Sequence, residues 1–210
     1  MLAIFKREFK SYFQNVIGWL FVAALLAVYG LYFYVYNLKN GYPYISYDLK
    51  GIGFIMMIAV PILTMRSLSD EKKTKTDQLM LTSPVSVGRI VAGKYLAMAA
   101  VYTIDIALFA LSPLVLSIYG KVALSEAYVA LFGYWLYGLS CIAVGLFISS
   151  ISESVIISAI LTFAALFLSY MMQSITGLIS SSGNLLTKVL NCFDLYTPFE
   201  NFVSGCFSVT

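Results

Sequence analysis

Residues 66–94 read RSLSDEKKTKTDQLMLTSPVSVGRIVAGK, and they lie between two long apolar stretches. Six of the chain's 13 basic residues fall here: Arg66, Lys72, Lys73, Lys75, Arg89 and Lys94. A segment this charged cannot lie in hydrocarbon, where nothing solvates its ions, so it must protrude into water between membrane crossings. Its excess of Lys and Arg places it on the cytoplasmic side. The reading is therefore an all-α integral membrane protein whose main wet protrusion is a short helical hairpin, a place to receive a signal or a force.

Composition agrees. Of 210 residues, 60% are hydrophobic and only 11% charged, against about 25% charged in soluble domains. A single membrane domain, 1–210, is the simplest division. The net charge of +3 is small, and the bases are spread so as to orient spans, not to bind nucleic acid. There is no histidine, which excludes His-based acid–base catalysis, Ser-His and Cys-His nucleophiles and His metal sites. Cys141, Cys192 and Cys206 show no metal-ligand spacing. Cys192 and Cys206 fall on the expected outside, where an oxidising exterior permits a disulfide.

Outward from the hairpin, five spans are legible. Residues 2–16 carry Leu2, Phe5, Phe9, Tyr12, Phe13 and Val16 at spacings of three and four, with Lys6, Arg7, Lys10 and Gln14 largely between. That is an amphipathic helix (1–15) in the inner interface, either an anchor or a coupling element. The apolar stretch after it is too long for a signal-peptide core and lacks a small-residue cleavage site. Residues 16–36 give 21 uncharged residues, about 31 Å of helix. Trp19 marks the inner end, and Tyr29, Tyr32, Tyr34 and Tyr36 form an outer aromatic belt. Residues 37–50 form an external loop turned at Asn40-Gly41 and Pro43. The second span, 51–65, is short and must extend past Lys50 and Arg66, and Pro61 predicts a kink or local break. The third runs over 90–119 with Asp105 near its middle, the fourth over 127–149 and the fifth over 155–175. In the fourth, Cys141, Gly145 and Ser149 lie four apart and give a small-residue face for close packing. Residues 176–210 read as an external loop followed by interfacial or re-entrant helices. The amino-terminal helix and the hairpin hold nine of the 13 bases; Lys39, Lys50, Lys121 and Lys188 fall outside. The amino terminus is thus expected to be cytoplasmic.

Gly88–Lys94 nearly matches GxxxxGK[ST], but Tyr95 stands at the magnesium-binding hydroxyl position and no strand precedes it, so a helix start is expected and no ATP hydrolysis by this chain. Asp105 must be neutral, paired or facing water; it is either a gating or packing group beside a path, or an acid bonded to a neighbouring helix. In the hairpin, 66–89, Asp70-Glu71-Lys72-Lys73 opens a helix with acids in its first turn. Leu79, Met80 and Leu81 supply an apolar knob before Ser83-Pro84 stops it.

The order of these elements, with EKKTKTDQLMLTSPV leading into IVAGKYLA, resembles the membrane subunits of type 2 ATP-binding cassette exporters. It is most similar to the small permeases of the gliding-motility and multicopper-enzyme-maturation branch. Glu71, Lys72, Lys73, Thr76, Leu79, Leu81, Ser83 and Pro84 match that pattern; Lys75 stands where Gly is common, and PFENFVSG at 198–205 fits the external re-entrant region. The resemblance implies six spans, so the chain is expected to be incomplete or truncated, with export in doubt if the sixth is absent. It also implies a homo- or heterodimer in the plasma membrane, bound to two cytoplasmic ATPase subunits that hold the ATP and magnesium. This chain would have no cofactor, metal or catalytic residue. Glu71, Lys72, Lys73, Thr76, Leu79, Leu81 and Pro84 would couple to the ATPase. The second and fifth spans would border the path, and Pro61, Asp105 and Glu200 would gate or pack. The competing readings are a non-transporting assembly subunit and an intramembrane enzyme, for which only Asp105 lies at the required depth.

Overall fold

The computed structural model describes residues 2–76, 86–119, 123–179 and 194–203. Among these every regular element is helical, and five stretches are long and apolar enough to cross a membrane: Val16–Lys39, Ser46–Lys73, Val87–Tyr119, Leu124–Ile151 and Val155–Met172. The elements are α1 (Leu2–Gln14), α2 (Val16–Phe33, continued by a π-helical turn Tyr34–Lys39), α3 (Ser46–Thr64), α4 (Ser69–Lys73), α5 (Val87–Phe109), α6 (Ser112–Tyr119), α7 (Leu124–Ile151), α8 (Val155–Ile179) and α9 (Tyr196–Val203).

Helix α1 meets the first span at an elbow. Asn15 is extended, at φ −89° and ψ 154°, and Trp19 Nε1 donates back to the Phe13 carbonyl at 2.9 Å. Phe5, Phe9 and Phe13 follow one another a turn apart along α1, the first two stacked and the second pair tilted, and Trp19 meets Phe13 edge-on at 5.3 Å. A Cβ on Gly18 would sit 2.5 Å from the Tyr12 carbonyl oxygen, so only glycine lets the two helices fold this closely.

Helix α3 is the axis of the bundle, packed by α2, α7, α8 and α9. Leu49, Ile52, Met56, Val60 and Leu63, at helical spacing, are fully buried. Lipid tails are as apolar as these side chains, so the contact is held by van der Waals packing and close backbone approach. The small-residue face of the fourth span is where this happens: a Cβ on Gly145 would lie 2.5 Å from Thr64 Oγ1, and Cys141 and Ser149 are buried beside it.

Several expectations are corrected. Of the kink or local break expected at Pro61, the break is absent: the helix is continuous from Ser46 to Thr64 with Pro61 inside it. The short second span gains helix at the Ser46 end, past Lys50, and its apolar stretch continues past Arg66 to Lys73, as expected, although the α-helix itself ends at Thr64. The 37–50 loop shrinks to 40–45. The π turn carries Asn37 inward, where its amide donates to Asp48 on α3, both residues being buried. Gly41 turns the loop at φ +69°. Tyr29 is not a belt residue: it is buried, stacks on Phe109 at 4.1 Å and bonds Ser112. The third span is interrupted at 110–111. Pro113 cannot donate to the Phe109 carbonyl, and the Ser112 hydroxyl takes that acceptor at 2.7 Å.

The carboxyl-terminal helix α9 lies against α3, α7 and α8 at the Lys50 end of the bundle, with Phe199 and Val203 buried. Asp194 caps it by accepting from Tyr196 and Thr197 N–H at 3.1 and 2.9 Å. Cys192 and Cys206 lie outside the described residues.

Candidate coupling site

At the other end of the bundle, α1, α4 and the start of α5 enclose an open cavity of about 900 Å³. Arg7, Glu8, Asp70, Glu71, Thr76 and Lys94 are among its lining residues. Its floor is Lys94, about two turns into α5 and only 2% exposed. A buried ammonium must be paired, and this one is: Nζ donates to Glu71 Oε1 at 2.7 Å, to the Ser67 carbonyl at 2.8 Å and to Glu8 Oε1 at 3.4 Å. One cation thus ties α1, α4 and the third span. Arg7 closes the ring, 2.6 Å from Glu8 and 3.8 Å from Glu71. On α1, Tyr12 donates to the Leu63 carbonyl at 3.4 Å; burial first, and then the Glu8 charge, raise its phenol above the ordinary value, so it remains a neutral donor.

Helix α4 is also fastened to the fourth span. The first N–H groups of a helix lack internal partners, and here Ser149 Oγ of α7 accepts from Leu68 and Ser69 N–H, each at 3.2 Å. The Ser69 hydroxyl donates to the Ser149 carbonyl at 3.1 Å. Lys72 donates to the Ser150 carbonyl, in the last turn of α7, where a cation suits the helix dipole. At its other end α4 closes on Thr74, and Lys75 follows at φ +56° with its N–H on the Lys72 carbonyl at 3.1 Å. That is the left-handed helix terminus glycine adopts most easily.

The residues expected to face an ATPase therefore divide. Glu71 and Lys72 turn back into the bundle, onto Lys94 and Ser150. Lys73 and Thr76 are exposed. Leu79, Leu81 and Pro84 lie outside the described residues. Sequence reasoning passed over Lys94 and Glu8. The near-phosphate-loop motif did single out Lys94, but for another role, and Gly88–Lys94 lies within helix α5. Glu8, the only acid before Asp48, was the available signal.

The three groups expected to gate or pack are separate from this end and from one another. Pro61 is buried within α3. Asp105 is fully buried in α5, and neither carboxyl oxygen has a hydrogen-bond partner among the described residues. Glu200 on α9 stands 3.6 Å from Lys50 on α3, tying α9 to the start of the second span.

Residues 31–207 match the family model described as ABC-2 family transporter protein. No curated protein and no solved structure matches the chain. The match covers most of the sequence and includes four of the five spans whole, along with the hairpin. With the all-helical bundle, it shows that this chain belongs to the ABC-2 family of transporter proteins, as a membrane-spanning component.

Proposed function

We propose that this chain is the permease subunit of an ATP-driven exporter, of the gliding-motility type, and that its 66–89 hairpin is gripped by a separate cytoplasmic ATPase. The observation that carries this is the double fastening of α4, to the third span through Glu71 and Lys94 and to the fourth through Ser69, Lys72 and Ser149–Ser150. A solvated connector needs neither link. A helix that must pass displacement to rigid spans needs both, since motion travels through packed and bonded elements. Lys73 at the end of α4 and Thr76 beyond it are exposed, and Leu79 and Leu81 follow them in the sequence. ATP and magnesium reside in the partner, two permease halves form the pathway in the plasma membrane, and the amino terminus is cytoplasmic.

The test is to replace Leu79 and Leu81 by Asp and to follow both co-purification of a cytoplasmic ABC-type ATPase subunit and its activity in liposomes. Loss of both supports coupling through the hairpin. Undiminished association refutes it. Association without any stimulation of ATP hydrolysis by the unaltered chain would favour an assembly subunit.

A further inference from the structure

A second groove lies on the membrane-facing side, between the start of α1, one face of α5 and Trp135 of α7. Its volume is about 760 Å³, and Leu2, Phe5, Ala100, Ile104, Ala107 and Trp135 are among its walls. We propose that this groove binds one acyl chain of an anionic phospholipid from the leaflet that carries α1, with the headgroup on Lys6 and Lys10.

Three observations lead there. First, the groove is apolar. Its one hydroxyl, on Thr103, donates to the Ala99 carbonyl at 2.7 Å and accepts from Trp135 Nε1 at 3.1 Å. Those polar groups are already used, so the walls offer a ligand only apolar surface, in a volume typical of ligand sites. Second, the length fits one leaflet. The α5 wall runs from Leu96 to Ala107, eleven helical rises or about 16 Å, half of the ~30 Å hydrocarbon core. Its small residues leave the channel, and Leu2 and Phe5 close it at the interface where α1 lies. Third, α1, which supplies Leu2 and Phe5 to the groove, carries uncompensated charge. Lys6 follows Leu2 by one turn and Lys10 follows Lys6 by another. Both are exposed, and neither forms an ion pair among the described residues. Glu8, the only acid of α1, is turned away to Lys94 and Arg7. Each such Lys near a membrane surface favours anionic lipid by about 1 kcal/mol, so two give roughly a thirtyfold preference.

The experiment reconstitutes the full chain in nanodiscs of phosphatidylcholine with phosphatidylglycerol and counts lipid retained after detergent release, by native mass spectrometry. One retained phosphatidylglycerol per chain, preferred at least about tenfold over phosphatidylcholine, is expected. Ala100→Trp, which fills the channel, should abolish retention of both lipids. Lys6→Gln with Lys10→Gln should keep a lipid but lose the headgroup preference. If Ala100→Trp fails to fold, Ala107→Phe serves in its place. Equal retention of both lipids by the unaltered chain overturns the proposal, as does undiminished retention in the filled variant. So does a filled variant that turns a dimer into a monomer while the unaltered chain holds no lipid, which would assign the groove to a second copy. The readout involves no ATPase and stands apart from the coupling reading.

Discussion

Replacing Lys94 by methionine keeps the buried stem and removes the ammonium. Glu8 and Glu71 then face each other across the space that Nζ held, and the Ser67 carbonyl loses its donor at 2.8 Å. Breaking a fully buried ion pair costs roughly 3–5 kcal/mol, because the surviving charge is stranded. Here the carboxylates keep 15% and 20% side-chain exposure, so water reaches them and the cost falls to about 2–3 kcal/mol. For a chain of this size that lowers the melting midpoint by roughly 4–12 °C. Thermal unfolding of the detergent-purified protein measures it. A cycle with Glu71→Gln isolates the pair: once Lys94 is gone, neutralising Glu71 should restore part of the loss, a coupling of about 1–3 kcal/mol. A Lys94→Met protein melting within about 1 °C of the unaltered chain, with additive effects in the cycle, would refute the clamp. If the clamp also transmits displacement, Lys94→Met should leave ATPase association intact while reducing ATPase stimulation.

Gly145→Ala places a Cβ 2.5 Å from Thr64 Oγ1 and 3.0 Å from Thr64 Cβ; forced separation of α3 and α7 should cost about 1–3 kcal/mol, read as a lower midpoint. Lys75→Gly relieves a left-handed non-glycine residue at φ +56° and is expected to stabilise the hairpin by up to about 1 kcal/mol, visible as slower amide exchange in α4. Asp105→Leu removes two buried carboxyl oxygens that lack a partner among the described residues and should leave stability unchanged or raise it by about 1–3 kcal/mol. A gain in midpoint with loss of transport would assign Asp105 to the transport cycle, while a clear drop in midpoint would show that it has a bonding partner.

The charge-patterned hairpin, the five apolar stretches and the amphipathic start were legible because each is a local property. A run of about 20 uncharged residues must cross a membrane, and a run of Lys and Glu must not. The Cys141–Gly145–Ser149 spacing also foretold close packing, since small residues at helical intervals fix a face whatever meets it. The sequence did not reveal what each face meets. Nothing local says that Ser149 caps a helix 80 positions away, that Lys94 sits between Glu8 and Glu71, or that Asn37 turns inward to Asp48. Tyr29 carries the same side chain as its belt neighbours and differs only in facing Phe109.

The one-dimensional pattern therefore determined which segments enter hydrocarbon and which stay wet, because solvation acts on each residue by itself. Tertiary structure alone decided which charges meet and which helix ends are capped by foreign side chains. Those contacts depend on the register and rotation of packed helices, which apolarity along the chain leaves free.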